Sequence, residues 1–366
     1  MTKVVLYQDG SVDDYIALCY LAALSRQSKI KLVGVMTAGT GEVDAKCGLQ
    51  NVAAVCNALN LQGIALGQGE DKRINPDYGQ SFPDYIRSFI DTLPSLVGLN
   101  GKTINEQVPD VVESLHQIIS QSEDPILIIA TGPLTDLDRL FKTYPEDKKK
   151  VKISLMGGAI HIAGNIKDLD PKIPNDVAEW NIFADIAAAR NVIASGVPLL
   201  MVPLDVTKYI RVTQEFYNQL AEMAGKDSEG AVGLMYELIT ALKNAFEKEH
   251  PEISFFEVYY LWDPFAAMVA LDSQFAKIEE KYIQVNLATG KTEEVAELSE
   301  GVGRIRVAMD IAKPATEILK HLLDVVASLA PPEIQAKKSN VPSFTLFGKT
   351  GSSEDSLEKG HIPSLQ

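Results

Sequence analysis

The chain has 366 residues, 46% of them hydrophobic, and a formal net charge of −15. So acidic a balance excludes a general nucleic-acid binder, because phosphate contacts need Lys and Arg; a small neutral substrate is untouched by that argument. Cys19, Cys47 and Cys56 lie in apolar stretches without metal-ligand spacing, which predicts reduced thiols and no disulfide framework.

In chain order, short apolar runs alternate with amphipathic patterns. KVVLY (3–7) precedes DDYIALCYLAALSRQ, and IKLVGVMTAG (30–39) precedes AKCGLQNVAAVCNALNL. PILIIATG (125–132) precedes PLTDLDRLFKTY. KISLMGG (152–158) and PLLMVPLDV (198–206) follow, with the helical pattern WNIFADIAAARNVIAS between them. This alternation predicts an α/β fold: one domain whose central, mostly parallel sheet is flanked by helices on both faces. Residues 230–250 read as a helix ending before Pro251; EKYIQVNLA and GRIRVAMDIA read as strands, and 314–330 as a terminal helix. The domain is expected over 1–330, and 331–366, rich in Pro, Ser, Gly and charge, as a flexible tail. The first strand begins within three residues, so no signal peptide is expected. No apolar run approaches the roughly 18 residues of a membrane span, so a cytoplasmic protein with no membrane partner is expected.

In such sheets ligands bind beyond the carboxyl ends of the strands. There the first strand opens into QDGSVDD, with Asp9, Asp13 and Asp14 inside six residues. A P-loop is excluded by the missing Lys and Gly-rich stretch, and a dinucleotide fingerprint by its missing glycines. An aspartyl-phosphate enzyme is excluded because Tyr7 stands at the nucleophile position. A hard-cation site remains, in which Asp9 and Asp14 face one ion. Helix capping is the competing reading of the same residues.

QDGSVDDYIAL, ATGPLTDL, MGGAIHIAGN, AEWNIFADIAAA and YYLWDPFAA, in this order, resemble the nucleoside hydrolase family, which cleaves the N-glycosidic bond of ribonucleosides. The resemblance spans roughly 3–325. WNI after AE, and Trp rather than His before Asp263, look most like the purine-preferring inosine-adenosine-guanosine branch. It implies a Ca2+ held by Asp9, Asp14, Asp263 and the carbonyl of Thr131, with Asp9 also the general base. It assigns ribose contacts to Asp13, Met156, Asn165, Glu179 and Asn181, although Asn165 after Gly164 also suits a left-handed turn. Trp262 would stack on the base, with Tyr259, Tyr260, Phe82, Tyr85 and His250 as further base contacts. A small ribonucleoside substrate, a role in purine salvage, and a homo-oligomer (dimer or tetramer) are also implied.

Three departures stand out. Tyr7 replaces an Asp that would support the base from behind. TAGTGEVDAKCG has two extra residues where the family carries Asn or Asp, with Glu42 and Asp44 as possible substitutes. An expected Arg is missing after His250. A pyrimidine or broad-specificity hydrolase, and a nucleoside-binding relative without turnover, are the alternatives.

Overall fold

Val4, Val5, Leu6 and Tyr7 are fully buried, and the period of two sends Val4 and Leu6 into one core and Val5 and Tyr7 into the other. A strand with no polar face must be covered on both sides, and the whole sheet follows that rule. In this computed structural model, residues 1–99, 109–226, 228 and 230–329 are described. The expected tail, 331–366, lies outside the described residues.

Nine strands form one sheet: β1 (Lys3–Gln8), β2 (Lys31–Thr37), β3 (Ala65–Gln68), β4 (Ile126–Ala130), β5 (Val151–Met156), β6 (Leu199–Val202), β7 (Ala276–Val285), β8 (Thr292–Val295) and β9 (Val302–Ile311). Their order is β3-β2-β1-β4-β5-β6-β9-β7-β8. Pairs from β3 to β9 are parallel; β7 pairs antiparallel with β8 and β9. The chain winds outward from β1 one way to β2 and β3, and the other way from β4. The β1/β4 junction is therefore the switch point where a doubly wound sheet opens its ligand crevice. Tyr7 pairs with Ala130 there, so Asp9 and Thr131 leave adjacent strands side by side.

The expected α/β class is the one observed. Strands β3 and β8, and the helices Asp84–Leu96 and Val111–Ser120, are additions to the sequence reading. WNIFADIAAARNVIAS is two helices, Trp180–Ala184 and Ile186–Ile193. Asp185 divides them, its carboxylate accepting from the Ala188 N–H at 3.1 Å as a cap. Residues 255–271 form two helices, Phe255–Val258 and Trp262–Leu271, which places Asp263 in the first turn of the second. Cys19, Cys47 and Cys56 are free thiols, and burial pushes Cys19 and Cys56 up to about 12. Among the described residues no helix is long and apolar enough to cross a membrane.

Candidate active site

The turn from β1 into the helix Val12–Arg26 is made by Gly10, at φ +87°, where a Cβ would come 2.4 Å from Val43. Asp9 precedes this turn, and Ser11 caps the helix. One oxygen of Asp14, Oδ2, accepts from the Ser11 N–H at 2.9 Å and the Asp9 N–H at 3.3 Å. The other, Oδ1, accepts from the Thr131 hydroxyl at 2.5 Å. The capping reading of Asp14 is therefore realised, and the same side chain also ties the ends of β1 and β4 together.

Asp13 turns toward Trp262–Leu271: its Oδ2 accepts from the Asp263 N–H at 3.3 Å, and its Oδ1 from the Tyr259 hydroxyl at 3.5 Å. Asp9, Asp13, Asp14 and Asp263 are thus gathered from two helices and a strand end, all at most 4% exposed. Among the described residues none forms an ion pair with Lys, Arg or His. Burial, then the Asp14 and Glu42 charges, raise Asp9 well above the usual carboxylate range. Burial, then Asp13, Asp14 and Asp9, do the same for Asp263. Burial and Asp14 push Asp13 up to about 7.

Four buried carboxylates without a cationic side chain fit a hard divalent cation by their chemistry, since oxygen donors and negative charge are what such an ion requires. The carbonyl of Thr131 accepts from the Asn181 amide at 3.1 Å, and a carbonyl oxygen keeps a second lone pair for an ion. A tighter acidic group lies elsewhere: His116, Glu146 and Asp147 have donor atoms within 4.8 Å of one another. Among the described residues Asp9, Asp14 and Asp263 do not meet that spacing as a set of three.

The ribose candidates are joined by hydrogen bonds. Glu179 begins the helix Trp180–Ala184, and its carboxylate accepts from the N–H groups of Asn181 (2.8 Å), Ile182 (3.1 Å) and Gly158 (3.0 Å). Burial nevertheless pushes it up to about 7. The Asn181 amide bridges the carbonyls of Thr131 and Met156, both at 3.1 Å. Asn165 has φ −116°, so the left-handed turn is ruled out; its Oδ1 accepts from the Trp180 N–H at 3.1 Å. Met156 ends β5, buried at 3% exposure.

The aromatic candidates separate into two groups. Trp262 is half-buried beside Asp263, with Tyr259 perpendicular at 5.3 Å and Tyr260 at 5.4 Å. Phe82 offers no open face: it is 3% exposed and stacks on Trp180 at 4.5 Å, because the apolar ring completes the core behind Glu179 and Asn181. Tyr85 is 56% exposed and donates to the Leu169 carbonyl, near Asp170 and Glu249. His250 is exposed at the end of the helix Ala231–Glu249, 5.0 Å from Phe246. Among the described residues no hydrogen bond or aromatic contact joins Phe82, Tyr85 or His250 to the carboxylates.

The substituted positions receive definite places. Asp44 is a helix cap, accepting from Lys46 N–H at 3.0 Å and Cys47 N–H at 3.4 Å. The readable signal was Asp directly before the apolar-periodic AKCGLQNVAAVC. Glu42 belongs to the site: its N–H donates to Asp9 Oδ2 at 3.3 Å, and burial with Asp13 and Asp14 pushes its carboxyl up to about 8.

Tyr7 has its hydrogen-bond partners in the turn after Thr131 rather than at the Asp9 carboxylate. Its hydroxyl donates to the Pro133 carbonyl at 2.7 Å, with an Asp136 carboxylate oxygen 3.2 Å away, anchoring the turn that follows Thr131. Burial raises it well above the usual phenol value, so it remains a donor. Tyr7→Phe leaves the buried Pro133 carbonyl short of its hydroxyl donor, and is expected to lower stability by about 1–3 kcal/mol. Denaturant melts check this, and a change below about 0.5 kcal/mol, the ordinary scatter of neutral substitutions, contradicts it.

The chain matches the family model described as inosine-uridine preferring nucleoside hydrolase over residues 4–317. It is similar to the pyrimidine-specific ribonucleoside hydrolase RihA of Enterobacter sp. (strain 638), 31% identical over 210 residues, covering 56% of this chain and 60% of that protein. It is also similar to a probable ribonucleoside hydrolase of Dictyostelium discoideum, 30% identical over 176 residues, covering 46% of each. The chain spans less than two thirds of the length of these curated relatives. In fold it resembles an inosine-uridine preferring nucleoside hydrolase from Bacillus anthracis, with TM-score 0.72 and 21% identity, covering 89% of this chain and 99% of the other. A purine-preferring ribonucleoside hydrolase from Gardnerella vaginalis gives TM-score 0.70 and 22% identity, covering 90% and 99%. With a family model matched from the first strand to the last described helix, this chain belongs to the inosine-uridine preferring nucleoside hydrolase family.

Proposed function

We propose that the protein is a Ca2+-dependent ribonucleoside N-ribohydrolase that prefers purine nucleosides and works in the cytoplasm. The observation that carries this reading is the set of buried, unpaired carboxylates of Asp9, Asp14 and Asp263 beside Thr131 at the β1/β4 junction. Asp9, Asp14, Asp263 and the Thr131 carbonyl would hold the ion. When bound, the cation supplies Lewis acidity, lowering the pKa of water and orienting sugar hydroxyls.

The protein side chains do the rest. Water attacks C1′ of the ribose, its oxygen forming the new C–O bond while the C1′–N bond breaks and its electron pair leaves with the base. Asp9 takes the proton from the attacking water. Asp13, Glu179 and Asn181 present carboxylate and amide groups, which answer ribose hydroxyls that both donate and accept. Binding the sugar through all its hydroxyls lets binding energy distort the ring toward an oxocarbenium-like transition state. Asn165 acts here through its bond to Trp180, which fixes the Glu179–Asn181 segment.

The half-buried Trp262 supports the purine preference, because a bicyclic base covers about twice the aromatic face that a pyrimidine does. Base stacking on an aromatic is worth ~1–3 kcal/mol, roughly tenfold to a hundredfold or more in rate. Inosine or guanosine should therefore be cleaved at least about tenfold better than uridine by kcat/KM, with Trp262→Ala eroding the ratio. Pyrimidine preference is the second reading, favoured by relatives named pyrimidine-specific. Base release from inosine, guanosine, adenosine, cytidine and uridine separates the two, and equal rates on inosine and uridine contradict the purine assignment.

A further inference from the structure

The 39–44 loop lies against the Asp9 carboxylate. A Cβ on Gly41 would fall 2.0 Å from Asp9 Oδ2, and the Glu42 N–H donates to that same oxygen at 3.3 Å. On the other side, a Cβ on Gly132 would meet Asp9 Cβ at 2.8 Å. Asp9 is thus set between two backbone segments, and its place depends on where the loop is held.

The hold comes from the helix Asp84–Leu96. Arg87 donates from one guanidinium nitrogen to the Gly41 carbonyl at 3.0 Å and from another to the Gly39 carbonyl at 3.1 Å. One turn on, Asp91 accepts from the Asp44 N–H at 3.0 Å. Asp71 lies 3.9 Å from Arg87 and accepts from the Ala45 N–H at 2.8 Å. A planar fork reaching two carbonyls two residues apart fixes the path of the peptide between them, which a single-point ammonium cannot do.

We propose that Arg87 is a positioning residue for the reaction: by clamping the Gly39 and Gly41 carbonyls it sets the Gly41–Glu42 backbone, and through it the Asp9 carboxylate. Arg87 itself is bonded to the loop and to Asp71, and acts through Asp9. The inference rests on the reading of Asp9 as base and calcium ligand.

The test compares wild type, Arg87→Lys and Arg87→Ala in four measurements: hydrogen exchange of 39–44, calcium affinity by calorimetry, thermal melting, and kcat and KM on inosine. Arg87→Ala is expected to speed exchange at 39–44 and to weaken calcium binding. Its kcat should fall about tenfold to a hundredfold, as when a reacting group is misplaced by an ångström, with KM changed less. Arg87→Lys should fall between the two, because it restores charge and one bond but not the fork. The inference is overturned if the loop exchanges faster while calcium affinity and kcat stay within about twofold of wild type, or if Arg87→Lys equals wild type throughout. Wild type that neither binds calcium nor releases base overturns the underlying reading instead, so the two failures are distinguishable.

Discussion

Asp9→Asn is expected to reduce kcat by at least about 10²–10⁴, the range typical of losing a general base alone. The substitution keeps shape and both flanking contacts, since an amide oxygen can still accept from the Glu42 N–H. It removes the basic electron pair proposed to take the proton from water, and at the same time one unit of the negative charge that would hold the ion. Both losses act on one step, so the effect should exceed the lower bound. The fold should tolerate the change: burial and the neighbouring acids already disfavour the Asp9 charge in the metal-free protein, and Asn removes that repulsion. A metal-free melting temperature equal to or above wild type, with turnover nearly abolished, is the expected pair of results. Near wild-type kcat rules out Asp9 as the base.

Asp263→Ala should weaken calcium binding by more than the roughly 10–100-fold typical of residues that merely support a ligand. Asp263 lies in the first turn of Trp262–Leu271, far in sequence from Asp9 and Asp14, and is tied to them through Asp13. It is buried, and its charge is raised in energy by burial and then by Asp13, Asp14 and Asp9. Such an arrangement disfavours the charged form of the empty site and is offset when a proton or a cation enters. Removing the carboxylate should therefore stabilise the metal-free form while weakening calcium affinity. Calorimetric titration with and without Asp263 measures the second effect and thermal melting the first. Unchanged calcium affinity excludes Asp263 as a ligand.

What could be read from the sequence depended on the range of the interaction. β1 and β4 are continuous apolar runs, buried on both faces, and their pattern is local. β3, Ala-Leu-Gly-Gln, is four residues with a central glycine and carries no such pattern. Asp9, Asp13 and Asp14 were conspicuous because charge was concentrated at a strand end; which oxygen caps and which one faces Thr131 depended on how the turn folds. Tyr7 was readable as a departure, but its partner, the 133–136 turn, is 126 residues away. The Arg87 clamp left no trace, because its acceptors are backbone carbonyls 46 and 48 residues distant, and any residue supplies a carbonyl. Phe82 and Tyr85 illustrate the converse: aromatic type suggested a base wall, while packing places Phe82 in the core and Tyr85 outside; His250, expected from the resemblance, is also exposed.

The central claim is hydrolysis of a ribonucleoside by a calcium-loaded acidic site, and release of free base from inosine tests it most directly when measured with added calcium, after chelation, and after calcium is restored. Release with calcium, loss of nearly all of it on chelation, and recovery on re-addition are the expected results. Release undiminished by exhaustive chelation, or none from any of the five ribonucleosides by the calcium-loaded protein, contradicts the claim.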